Sequence, residues 1–269
     1  MEKNRNMNTK NKIVIEADAS LLKYFRPEKY SDLIRLGVTN DGGYIIPKSS
    51  IRTLNQYVNL GVGTEFSFER HLQKVNNKVR VTSIDDTVSL SYLCKWSIRG
   101  IIKLILTRLT PTQLVNRFIT TYNFFSFYKL NNRNIFVKKK VNASNIDNIL
   151  QVLDKNSGLK IDIEGGEYEI LSSLKPYFNK LNFLVIEFHD IQKHEKEIVD
   201  FIKNIKKYMK IAHLHANNST SNFSLFPRVI EVTFVKNDGI KRSKIDSLPN
   251  IRLDFPNNDS NKDYYLNFK

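Results

Sequence analysis

Residues 159–171 read LKIDIEGGEYEIL. Leu159–Ile163 is an apolar-rich run of strand length, flanked by a glycine turn, as expected of a strand buried in a sheet. Asp162 and Glu164 stand two apart, so in an extended chain both side chains leave the same face. Gly165-Gly166 turns the chain, and Glu167–Leu174 begins a helix. A strand entering a helix through a glycine turn is a unit of an α/β sheet, and in open parallel sheets ligands gather at the carboxyl ends of the strands. Two carboxylates at such an end can hold a metal, orient a substrate or anchor an amine. They can equally cap the helix and complement its dipole.

Upstream the same pattern recurs. Gln56–Leu60 reads as a strand, Gly61-Val62-Gly63 as its turn, and Phe66–Val75 as a helix with Phe68, Leu72 and Val75 on one side. The next strand, Lys78–Ile84, runs directly into Asp85-Asp86. An acid about 20 residues after a strand–glycine turn–helix is the spacing of a nucleotide-cofactor site, where the carboxylate accepts hydrogen bonds from ribose hydroxyls. The third glycine of a dinucleotide fingerprint is missing; the turn continues Thr64-Glu65-Phe66. A pyrophosphate would meet Glu65 near the helix start. That disfavours NAD and suits a ligand carrying an amine or a sulfonium.

Downstream, Leu181–His189 reads as a strand, with Glu187 and His189 on one face. A histidine ending a buried strand beside an acidic strand end is a candidate base. His213 and His215 likewise share a face before Asn217-Asn218, which can be turn residues. Glu195–Lys207 places Ile198, Phe201, Ile202 and Ile205 at helical spacing. Further strands are expected at Tyr44–Pro47, Ile135–Val141, Lys210–His215 and Val229–Val235, and a short helix at Ile146–Leu153. Strands alternating with helices imply a mostly parallel sheet with right-handed crossovers. Residues 1–12 read as a frayed tail and Ala19–Leu36 as one or two helices. Residues 88–133 form a helical insertion in which Trp96 and several Ile and Leu alternate with Lys95, Arg99 and Lys103. Pro111 breaks its first helix, and Leu114–Tyr128 is the second.

The chain has 269 residues, 41% apolar and 26% charged, which fits one large α/β domain better than two. Its formal net charge of +15 leaves either a solvated basic surface or an anionic partner: nucleic acid, a lipid surface or an acidic glycan. No zinc finger, RNP-type aromatic run or helix-turn-helix is evident, so no nucleic acid is expected. Cys94 is the only cysteine, which excludes a disulfide within the chain. No apolar leader follows the basic N-terminus, and no run approaches the about 20 apolar residues of a membrane span. A cytoplasmic protein is expected.

Taken in order, DGGYIIP at 41–47, NLGVGTEFSFE at 59–69, SIDDT at 83–87, LKIDIEGGEYEIL at 159–171, IEFHD at 186–190, HLHANN at 213–218, EVTFV at 231–235 and LPNIRLDFPNN at 248–258 resemble the FkbM-type family of S-adenosylmethionine-dependent methyltransferases. The resemblance implies a class I methyltransferase (Rossmann-like) fold: a mostly parallel seven-stranded sheet, helices on both faces, and an antiparallel last strand at Val229–Val235. It places the methyltransferase domain at 51–258 with the insertion at 88–133, after a tail and cap segment at 1–50 and before a tail at 259–269. It implies S-adenosylmethionine as donor, with Asn59, Gly61, Gly63, Glu65, Asp85 and Asp86 as the cofactor-binding candidates. Asp162, Glu164, His189 and His215 are the catalytic candidates. Either a histidine acts as base, or Asp162, Glu164 and His189 hold a divalent cation. The acceptor class the family suggests is a sugar hydroxyl of a glycan or glycoconjugate, as in polysaccharide biosynthesis; a non-sugar acceptor and a non-catalytic binding module are the alternatives. Residues 91–109 can also form an interfacial helix against an anionic membrane, which would make the protein peripheral to the inner membrane face.

Overall fold

The computed structural model describes residues 12–219, 224–249 and 252–269. In chain order its strands are β1 (Lys12–Glu16), β2 (Leu33–Leu36), β3 (Tyr44–Pro47), β4 (Gln56–Leu60), β5 (Arg80–Ile84), β6 (Asn134–Val137), β7 (Ser157–Ile161), β8 (Leu181–Phe188), β9 (Met209–Asn217), β10 (Val229–Lys236), β11 (Ser247–Leu248) and β12 (Asp263–Asn267). The α-helices are α1 (Lys48–Arg52), α2 (Ser67–Val75), α3 (Leu90–Ile105), α4 (Pro111–Lys129), α5 (Ile146–Leu150), α6 (Glu167–Ile170) and α7 (Glu195–Ile205).

Every residue of β4, β7 and β8 is buried, the pattern of strands covered on both faces. They sit at the centre of a seven-stranded sheet ordered β6-β5-β4-β7-β8-β10-β9. All neighbours run parallel except β10, which lies antiparallel between β8 and β9. This is the class I methyltransferase order, and the antiparallel strand is the one expected at Val229–Val235. One face packs Val58, Leu60, Leu159, Ile161, Leu184 and Ile186 against Ile149 of α5 and Ile198 and Ile202 of α7. The other packs Tyr57, Val81, Phe183 and Val185 against Tyr44, Ile51, Phe68 and Leu72.

Several elements differ from expectation. Ala19–Leu36 is not helical beyond two short 3-10 turns, Ala17–Ala19 and Leu21–Phe25. Its end is strand β2, drawn into an antiparallel ladder by β3, a partner that local periodicity does not reveal. Of the expected frayed tail, residues 1–11 lie outside the described residues, but Lys12 opens β1, which pairs parallel with β12. The 259–269 segment is therefore anchored: Tyr264, Leu266 and Phe268 are all buried. The helix after Gly166 is α-helical only through Ile170 and continues as a 3-10 helix containing Pro176, which cannot donate the next backbone hydrogen bond.

The insertion is an α3–α4 helical hairpin. The first helix already ends at Ile105, just before Thr107 at φ +56°, so Pro111 starts the second helix rather than breaking the first. It follows Thr110, whose hydroxyl accepts from Gln113 N–H while the Gln113 side chain accepts from Thr110 N–H. The hairpin base rests on Val62, Phe66 and Val88 through Leu93, Phe124 and Tyr128. Among the described residues no helix is long and apolar enough to cross a membrane.

Candidate active site

The chain continues from β4 to β5 on one side and later places β7 on the other, so β4 stands at the point where the sheet's winding reverses. There Gly61 N–H donates to Ile84 O at 2.9 Å and Asp162 N–H to Leu60 O at 2.9 Å, which draws three strand ends together. The turns after β4, β5 and β7 line a cleft of ≈ 790 Å³. Gly61 has φ +83°, and a Cβ there would lie 1.6 Å from the Asp162 carbonyl oxygen, so only glycine lets the two turns pass. Gly63, at φ +59°, is different: a Cβ would meet nothing within 4 Å, which leaves backbone open to the cleft. Carboxylates outnumber lysines in the lining eight to three, in a chain of net charge +15. An ammonium or sulfonium fits this lining; a pyrophosphate does not.

The cofactor candidates divide. Gly61, Gly63, Glu65, Asp85 and Asp86 line the cleft, whereas Asn59 does not. Asn59 is buried behind it, its amide donating to Glu69 Oε1 at 2.6 Å. Glu69 had no place in the sequence pattern, yet it lines the cleft, and its Oε2 is buried without a partner. Burial pushes its carboxyl above the usual range, against the pull of Lys160. Glu65 accepts from Ser67 N–H at 2.7 Å at the start of α2, so it also serves as a local cap.

Asp85 departs from the expected ribose contact. Its Oδ2 accepts from Val62 N–H and Gly63 N–H, both at 2.8 Å, and its Oδ1 from Thr87 N–H, the Thr87 hydroxyl and Val88 N–H. Burial alone would raise its pKa, but these bonds hold it below the ordinary carboxylate value. With both oxygens engaged, Asp85 ties two cleft turns together. Asp86 is the exposed acid of the pair.

Asp162, Glu164 and His189 are brought together as expected. One ligand atom from each lies within 4.8 Å of the others. Asp162 Oδ2 forms an ion pair with Lys160 Nζ at 3.0 Å. Burial opposes the charge on Lys160, but Asp162, Glu69 and Glu187 together raise its pKa. The Tyr44 hydroxyl stands 3.1 Å from Glu187 Oε2 and 3.3 Å from Asp162 Oδ2. Burial, with Asp162, Glu231 and Asp41 nearby, raises the Glu187 pKa strongly. Glu164 adopts φ +53°, unusual for a residue other than glycine, and its carboxylate lies 3.5 Å from His189 Nε2. On the other side of the ring, His189 Nδ1 lies 3.2 Å from Oε1 of the fully buried Glu167, which also accepts from His189 N–H. Burial disfavours the imidazolium, but Glu167, Asp162 and Glu164 raise the His189 pKa overall. Glu167 thus orients the ring and leaves Nε2 facing the acidic strand ends.

His215 is not such a base. It is buried, with Nδ1 3.2 Å from Asp254 Oδ1 and Nε2 2.9 Å from Asn257 Oδ1. Asp254 also meets His213 Nε2 at 3.1 Å. Against burial, the Asp254 hydrogen bond and the nearby Glu231 carboxylate raise the His215 pKa to about 9. With both ring nitrogens held, His215 clamps β9 to the segment around residues 254–257. From there Asn257 bridges to Glu231, and Asn217 links Glu231 to Glu187, a buried polar chain reaching back to the cleft.

Residues 108–217 match the family model of the methyltransferase FkbM domain, a span that includes Asp162, Glu164 and His189. No curated protein matches the chain. Among solved structures, an rRNA methylase from Streptococcus thermophilus is similar at 10% identity, covering 70% of this chain and 93% of that one, with a TM-score of 0.39. Aeropyrum pernix fibrillarin with bound S-adenosyl-L-methionine is similar at 7% identity, covering 79% and 86%, with a TM-score of 0.36. Precorrin-6y C5,15-methyltransferase from Geobacter metallireducens is similar at 14% identity, covering 70% and 85%, with a TM-score of 0.37. With the strand order and the acidic cleft at its switch point, the match of residues 108–217 to the FkbM domain supports an S-adenosylmethionine-dependent methyltransferase.

Proposed function

We propose that the chain O-methylates a sugar hydroxyl of a glycan or glycoconjugate. The observation that carries a hydroxyl acceptor is the orientation of His189: Nδ1 rests on buried Glu167 while Nε2 faces Asp162 and Glu164. A hydroxyl must lose its proton as it attacks the methyl carbon, and a fixed imidazole nitrogen is suited to take it. The sugar class comes from the resemblance to FkbM-type enzymes. S-adenosylmethionine supplies the methyl group as a sulfonium. Gly61, Gly63 and Asp86 would hold it in the cleft, and Asp162 and Glu164 would stand beside the transferred methyl group. Because methyl transfer is an in-line displacement, much of the rate comes from holding the two partners in register.

A second reading rests on the same trio. Asp162, Glu164 and His189 are close enough to share a divalent cation, which would acidify the hydroxyl directly. Transfer from methyl-labelled donor to a panel of glycans and amines separates the possibilities. Incorporation into a hydroxyl supports the proposal; incorporation into amines alone would overturn it. Activity that survives exhaustive chelation assigns the proton to His189, and loss restored by magnesium or manganese assigns the cation.

A further inference from the structure

The α3–α4 hairpin is built inside out. The two helices meet through small and polar groups: Ser97 Oγ lies 2.8 Å from Thr121 Oγ1, and a Cβ on Gly100 would stand 2.7 Å from Leu114 Cδ1. Beyond the base, where Leu93 and Phe124 are buried, large apolar side chains face outward. Ile98, Ile102 and Ile105 on α3, and Val115, Ile119 and Tyr122 on α4, repeat at i, i+4 and i+7, and all six are exposed, Ile105 to 75%. A helix in water turns such a stripe inward. Small residues at the helix contact and aliphatic residues outside are the arrangement found where hydrocarbon is the neighbour.

The charge indicates which surface this face meets. Lys95, Arg99 and Lys103 form a second stripe beside the isoleucines, and all three are exposed. From Thr87 to Ile146 the sequence has ten Lys or Arg and no Asp or Glu. A second copy of the hairpin would bring like charges together. Nucleic acid would match the charge but leave the aliphatic stripe in water. An anionic bilayer satisfies both stripes, with headgroups on the cations and the upper acyl region on the isoleucines.

We propose that the α3–α4 hairpin docks this methyltransferase on anionic lipid bilayers, lying in the interface rather than crossing it. The hairpin leaves the sheet directly after Asp86 and Thr87, which line the cleft. Docking through it holds the cleft near the membrane surface, where an acceptor glycan carried on a lipid would be presented.

The test uses the full chain and vesicles of phosphatidylcholine with or without an equal part of phosphatidylglycerol. Cys94 is exposed on α3 and is the only cysteine, so an environment-sensitive fluorophore can be attached there alone. The proposal predicts flotation and a blue-shifted label with the anionic vesicles only. Ile102→Glu with Ile105→Glu should abolish both, and replacing Lys95, Arg99 and Lys103 by Gln should weaken binding by about fivefold for each charge removed. S-adenosylmethionine affinity and methyl transfer to a soluble acceptor, measured on the same samples, should be unchanged, which separates failure of docking from failure of the donor site or of the acceptor reading. Absence of flotation would overturn the proposal. So would a dimer dissociated by the Ile→Glu changes in a chain that ignores vesicles, or RNA binding that displaces the lipid and is indifferent to those changes.

Discussion

Asp162 carries two roles that substitution can separate. Its carboxylate faces the cleft and also neutralises the buried ammonium of Lys160. Asp162→Ala leaves that charge without its closest partner, and thermal denaturation should show a loss of about 3 kcal/mol. Asp162→Asn keeps a hydrogen-bond acceptor for Lys160 and should stay folded, with methyl transfer reduced at least about a hundredfold. Full activity in folded Asp162→Asn would remove the residue from the reaction. His189→Ala should lower the rate about 10²–10⁴-fold with donor affinity retained, as titration calorimetry can check. His215 makes a different prediction. Its folded pKa of about 9 lies above the ordinary 6.5, so its stabilisation is complete below that lower value and fades as pH rises through about 9. Melting temperatures should fall across this window by the equivalent of about 3 kcal/mol, and His215→Gln should flatten the profile. Asp162 and His189 are legible as site residues because each directly follows a buried strand, and Glu164 because it stands in the glycine turn just beyond β7. Tyr44 and Glu167 are not, because their roles arise from groups well removed in the chain: Glu167, for instance, reads as a helix-start acid, yet its carboxylate is fully buried beneath His189.

At the scale of elements, the turn after β4 is the most informative. Gly61 and Gly63 look equivalent in sequence, but the Asp162 carbonyl crowds only the first. Gly61→Ala should prevent folding, with loss of the cooperative thermal transition. Gly63→Ala should cost only the about 1–2 kcal/mol of a left-handed alanine while lowering S-adenosylmethionine affinity tenfold or more. Equal donor affinity in Gly63→Ala would place the ligand elsewhere. The central strands are legible because burial on both faces demands nearly unbroken apolar runs, as in Leu181–Phe188. β2 is not, since Leu33–Leu36 becomes a strand only through pairing with β3. β12 carried a usable signal: the alternation of Tyr264, Leu266 and Phe268 is the period of a strand with one buried face.

Over the whole molecule, charge is divided. An acidic cleft and an acid-free basic hairpin sit side by side on a chain of net charge +15. The cleft suits a cationic donor, and the hairpin suits an anionic surface. Composition shows the total but not the partition, because the acids lining the cleft come from turns and helix starts scattered between Asp41 and Glu169. Calorimetric titration of the chain and its Gly63→Ala variant with S-adenosylmethionine and with NAD tests the cleft assignment most directly. The predicted result is one S-adenosylmethionine site per chain, weakened in the variant, with no heat from NAD. Binding of NAD, or S-adenosylmethionine binding that ignores Gly63→Ala, would contradict it.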